Sequence, residues 1–220
     1  MIDPARDIRR SANHEVFCLA GGMTATGPEG IGVGLCPVDA PLVSLGRRGL
    51  LRYSREFGTR KPIVFVNLYN NVWGTNFQQW IGGSWSARVR LWAVDGSEAQ
   101  NDLVSRSRET RSRTKVAVFD GPAGALSPSQ AGLELSRPGV LVTALGANPD
   151  GNGLVLRLWE QVGQSGTCRV RLPVGLLPAQ ARPCDLRGRA RGKPIPVDDG
   201  WIEVSLTPFA PSSVLLQRRP

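Results

Sequence analysis

At 220 residues the chain is long enough for one large domain or two small ones, burying roughly 70% of its unfolded surface. Hydrophobic content of 41% and charged content of 20% are ordinary for a folded globule, and 26 Gly with 17 Pro make the chain turn often. No apolar run approaches the ~20 residues of a membrane helix, and the polar start (MIDPARD) is unlike a signal peptide, so a soluble, cytoplasmic-leaning protein is expected.

The net charge of +9 raises nucleic acid as a partner. Of the 27 basic residues, however, only Lys61, Lys115 and Lys193 are lysines, a ratio that a GC-rich coding sequence also produces. The one dense cluster, Arg106, Arg108, Arg111 and Arg113, has no interleaved aromatics and so lacks a stacking platform for single strands. It reads as a solvated loop or linker face, and a nucleic-acid partner is disfavoured.

In chain order, strand-like runs are expected at residues 14–20, 30–37, 62–69, 86–94, 116–119, 139–145, 153–159, 168–172, 201–206 and 213–217. The clearest period of two lies at 86–94, where Ala87, Val89, Leu91 and Ala93 alternate with Ser86, Arg88, Arg90 and Trp92. Cys168, Val170 and Leu172 alternate with arginines, and Ile202, Val204 and Leu206 with Trp201, Glu203 and Ser205. Turn signals separate the runs at Gly21-Gly22, 149–153, 163–166 and Asp198-Asp199-Gly200. Almost no amphipathic helix is expected, so the fold class is all-β, built of packed antiparallel sheets. The Gly- and Pro-rich stretch 121–138 divides a β-sandwich region at 1–125, with room for truncation at its start, from a smaller C-terminal β domain at 126–220.

Four cysteines (Cys18, Cys36, Cys168, Cys184) are far apart and form no C-x-x-C pair, so buried thiols are expected, with Cys18–Cys36 and Cys168–Cys184 bridges left open. The single histidine, His14, makes a metal site within this chain improbable; no metal ligand and no cofactor is assigned.

The most informative stretch is Tyr69-Asn70-Asn71-Val72-Trp73-Gly74-Thr75-Asn76-Phe77. Amides hydrogen-bond hydroxyls and aromatic faces stack on sugar rings, so Tyr69, Asn70, Asn71, Trp73, Asn76 and Phe77 are candidate carbohydrate contacts. Turn chemistry for the asparagines and core packing for the rings are the competing readings. Asp39, between Pro37 and Pro41, is a turn former that could also reach substrate hydroxyls. Glu160 invites comparison with a glycosidase acid paired with Asp39 or Asp185, but a salt bridge at the strand end is the stronger expectation.

Residues 62–92 (PIVFVNLYNNVWGTNFQQWIGGSWSARVRLW) resemble the strand, Asn-rich loop, strand segment in the C-terminal β region of glycoside hydrolase family 38, the α-mannosidases. Residues 153–173 (GLVLRLWEQVGQSGTCRVRLP) resemble a hairpin of that family. Cys184-Asp185-Leu186 through 208–214 resembles its last strands, and 37–43 (PVDAPLV) a segment upstream of the Asn-rich loop. The resemblance implies the end of a galactose mutarotase-like supersandwich followed by a smaller sandwich. It also implies that the zinc, the nucleophilic aspartate and the acid carboxylate lie on an N-terminal α/β domain for which this sequence has no room, so no catalytic residue carries over. The leading expectation is a β portion that buttresses and partly lines a cleft on a catalytic polypeptide acting on mannosides. A stand-alone carbohydrate-binding module and a polyanion-binding protein are the alternatives. Trp80, Trp85 and Trp92 are expected on an uncovered apolar patch.

Overall fold

A computed structural model describes residues 2–48, 61–69, 78, 80–118, 120–122, 124, 127–176, 178 and 180–217. It divides into two compact units, Met1–Arg113 and Thr114–Pro220. The four sheets among the described residues are antiparallel, as expected for an all-β protein.

Among the described residues the first unit holds β1 (Phe17–Cys18), β2 (Met23–Thr26), β3 (Gly32–Pro37), β4 (Leu42–Leu45), β5 (Val64–Val66), β6 (Val89–Val94), a 3-10 turn at Gly96–Glu98 and an α-helix, α1 (Ala99–Arg111). Its sheets run in the order β1-β4-β5 and β2-β3-β6. In β3 and β6 the period of two puts Cys36, Trp92 and Val94 on one face, where they form a core with Ala99 and Leu103 of α1. Gly34 lies directly opposite Trp92 and leaves room for its indole.

The face assignment at 86–94 is the reverse of the sequence expectation. Trp92 is only 8% exposed and belongs to the core rather than to a surface patch, whereas Leu91 is 62% exposed, with Val89 and Val33 beside it in the open. The alternation was correctly phased, but both faces carry apolar residues, so hydropathy could not say which one α1 covers. Glycine at position 34 is the feature that selects the Trp92 side.

α1 is the one α-helix among the described residues, in keeping with the expectation of almost none. Its apolar stripe consists of little more than Ala99, Leu103 and Val104, and Ser107 supplies the next buried position, so the 3.6 period is nearly silent. The Arg106–Arg111 part of the basic cluster is therefore helical rather than loop. Arg106 pairs with Asp102 one turn back at 3.4 Å. Arg111 donates to the carbonyl oxygens of Pro37 at 2.7 Å and Gly21 at 3.2 Å, binding the helix end to two loops.

The second unit contains β7 (Glu134–Leu135), β8 (Val140–Ala147), β9 (Leu154–Glu160), β10 (Gly166–Arg171), β11 (Gln180–Cys184), β12 (Trp201–Leu206) and β13 (Pro211–Gln217). One sheet runs β12-β10-β7, the other β11-β13-β9-β8. Cys168 and Val170 with Ile202 and Val204 from the first, and Leu156 and Leu158 with Val214 and Leu216 from the second, share one buried cluster. Alternation in each strand thus makes a sandwich, each such side chain contributing about 1.5–3 kcal/mol on burial. The Asp198-Asp199-Gly200 turn enters β12 with Asp199 and Gly200 both at positive φ (44° and 77°), the conformation that a tight hairpin needs.

Of the strand expected at 116–119, Phe119 lies outside the described residues; 116–118 form no strand, and Val118 is 90% exposed with no described strand beside it. All four cysteines are free thiols, with Cys36 and Cys168 buried and Cys18 exposed. Among the described residues no helix is long and apolar enough to cross a membrane.

Candidate functional site

Of the candidate sugar contacts, Asn70, Asn71, Trp73, Asn76 and Phe77 lie outside the described residues. Tyr69 and Asp39 are described. Tyr69 follows β5 and stacks on Trp85, with ring centroids 6.0 Å apart and planes inclined by 16°. Both rings stand in the open, 55% and 66% exposed, and Trp80 is more exposed still. No local sequence pattern announces this pairing, because fifteen positions lie between the two rings.

Asp39 sits in the turn after β3, and its carboxylate is fully engaged. It accepts from the backbone N–H of Arg88 at 2.9 Å and from the Arg88 Nε and Nη2 at 2.9 and 2.8 Å. The Arg88 guanidinium and N–H hold the carboxyl well below the usual carboxylate range. The turn geometry explains the arrangement: Val38 N–H donates to the Arg88 carbonyl, so the two residues close the same end of β3 and β6.

Glu160 ends β9 and is completely buried. Its partner is not the cation expected of a strand-end salt bridge. Its carboxylate accepts N–H groups from Val162 (2.9 Å), Gly163 (2.9 Å) and Phe209 (2.8 Å). Burial works to raise its pKa, yet the backbone donors of Phe209, Val162, Gln164 and Gly163 together hold it below the ordinary value. A carboxylate so saturated is anionic and has no proton to give a leaving group. Asp185 is likewise held low, by the Arg189 N–H and the Arg191 side chain. The glycosidase-like pairing of Glu160 with Asp39 or Asp185 is thus replaced by three structural carboxylates.

His14 is the single histidine of the sequence. His14 is buried and its Nε2 donates to the Arg9 carbonyl at 3.1 Å. Among the described residues no group of three or more His, Cys, Asp or Glu is placed to hold a metal.

With the sandwich of the second unit in view, comparison with protein families is informative. Residues 139–210 match the family model described as glycosyl hydrolases family 38 C-terminal beta sandwich domain. The matched segment runs from β8 through β12, takes strands from both sheets and includes Glu160 and Phe209. The resemblance read from residues 153–173 and 184–214 thus falls within or beside a segment that the family model itself recognises. No curated protein matches the chain.

Proposed function

We propose that this chain is the auxiliary β portion of an α-mannosidase-like glycoside hydrolase, supporting and partly lining a cleft whose catalytic groups lie on another polypeptide segment. The observation that carries the reading is the family 38 sandwich match over residues 139–210. The state of the carboxylates supports the auxiliary role: Asp39, Glu160 and Asp185 are each consumed in holding turns together. Zinc, the nucleophile and the acid would then come from the catalytic segment. Assay of the purified chain on an aryl α-mannoside tests this directly. No turnover is expected alone, and hydrolysis by the isolated chain would overturn the assignment.

The exposed Tyr69–Trp85 stack favours a second reading, a carbohydrate-binding module. Calorimetric titration over a panel of mannosides, with Trp85→Ala as control, separates the two. Heat of binding that disappears in the variant supports the module, and silence across the panel returns the chain to a purely supporting role.

A further inference from the structure

Among the described residues the β2-β3-β6 sheet is covered on one side only. α1 lies on the side of Cys36, Trp92 and Val94, while Val33, Val89 and Leu91 stand exposed on the other. Register makes these a continuous surface: Leu91 is opposite Leu35, Ala93 opposite Val33, and Val33 opposite Ala25 on the far strand.

β6 is also the outermost strand of its sheet among the described residues. Its outward N–H and C=O groups therefore face no described strand. Proteins usually blunt such an edge with charge, proline, a bulge or a cover. Along the bare face β6 offers Val89, Leu91 and Ala93 without a charge until Asp95. Asp95 keeps an extended backbone (φ −120°, ψ 112°), so it continues the row, and its carboxylate makes no capping bond to the turn that follows. A groove of about 380 Å³ lies there, lined by Ile31, Ala93, Asp95, Glu98 and Asp102 among others.

We infer that β6 is a seam at which another polypeptide adds a β-strand, apolar at alternate positions and carrying a lysine or arginine in register with Asp95. Strand addition satisfies the β6 backbone groups that face no described strand, and the alternate side chains meet the exposed Val89 and Leu91. The acidic groove at one end fixes direction and register through charge. A second copy of this chain is a poorer occupant. Directly opposed residues of an antiparallel pair share a face, so self-pairing sets Asp95 against Ala87, Val89, Leu91, Ala93 or another Asp95, none of them basic. The inference rests on the reading above, in which the chain works beside a second polypeptide.

The test uses the whole chain and a blocked peptide of about nine residues, alternating Val and Thr, with Lys where it pairs with Asp95. Amide hydrogen exchange across Val89–Val94 is followed during titration. The outward amides are expected to exchange about tenfold more slowly at saturation, and a Lys→Glu peptide to bind about tenfold more weakly. Asp95→Asn should erase that preference, and Leu91→Arg, an exposed position, should abolish protection while leaving the melting temperature unchanged. Three results would overturn the inference: no slowing with any peptide, equal slowing by the Lys and Glu peptides, or a dimer in sedimentation that Leu91→Arg breaks. The last gives the seam to a second copy. No sugar or hydrolysis is measured, so failure here is distinct from failure of the glycosidase reading, which the mannoside assay judges.

Discussion

Gly34 and Trp92 face one another across β3 and β6 so closely that a Cβ on Gly34 would lie 2.0 Å from the indole Cε2. No rotamer adjustment of a single methyl relieves such an overlap, so the ring or the strand must move. Gly34→Ala is therefore expected to destabilise the first unit by about 1–3 kcal/mol, as overpacked cores do. Trp92→Leu combined with Gly34→Ala should recover part of the loss, because the two changes act on one space. Thermal unfolding of the two single variants and the double variant checks this. Additive losses would deny the coupling.

Glu160 makes the second unit sensitive to acid, with a definite sign. Its folded pKa is held below the unfolded value, so its contribution is fully present above the unfolded pKa of about 4.3 and fades as pH falls through the folded one. Glu160→Gln replaces an acceptor with an amide that turns two donors towards backbone N–H groups. A loss of about 2–4 kcal/mol at neutral pH is expected. The variant should also lack the acid limb of the wild-type stability profile, measured by urea unfolding between pH 3 and 7 (on the order of the carboxylate range).

The Asp39–Arg88 pair is solvent-facing, and its signature is titration rather than stability. Carbon-detected NMR should show the Asp39 carboxyl still ionised at pH values where ordinary aspartates have taken up a proton. Arg88→Leu should bring its midpoint back towards the common range near 3.9. An unchanged midpoint in that variant would mean that the guanidinium is not the cause.

Arg111 joins the end of α1 to the carbonyls of Gly21 and Pro37. Arg111→Lys keeps the charge but loses the fork, and should cost about 1–2 kcal/mol in denaturant unfolding. If the basic cluster were instead a polyanion site, the same variant would leave stability intact and weaken DNA binding in a salt-dependent way.

The second unit was largely legible because its strands are amphipathic in the plain sense. Arg169 and Arg171 alternate with Cys168 and Val170, and Glu203 with Ile202 and Val204, so hydropathy alone fixes which face turns inward. The first unit was legible only in part. At Leu91 and Trp92 both faces are apolar, and the choice between them depends on Gly34, more than fifty positions away. α1 escaped notice because a serine, Ser107, occupies a buried position where a leucine would have announced the helix. Glu160 was recognised as special but given a cation for a partner, since backbone N–H groups brought by a distant turn at Phe209 leave no trace in side-chain composition. The Asn-rich stretch is identified by composition alone, and only Tyr69 of it enters the described structure.

The counter-charge of Glu160 is made of peptide dipoles rather than a mobile cationic side chain, and this sets how the sandwich responds to electrolyte. Surface pairs such as Arg187 with Asp150 weaken as ions crowd around them. A carboxylate sealed behind Phe209 and Gly163 is out of reach of those ions, so the clasp between the two turns persists in brine and yields only to protons.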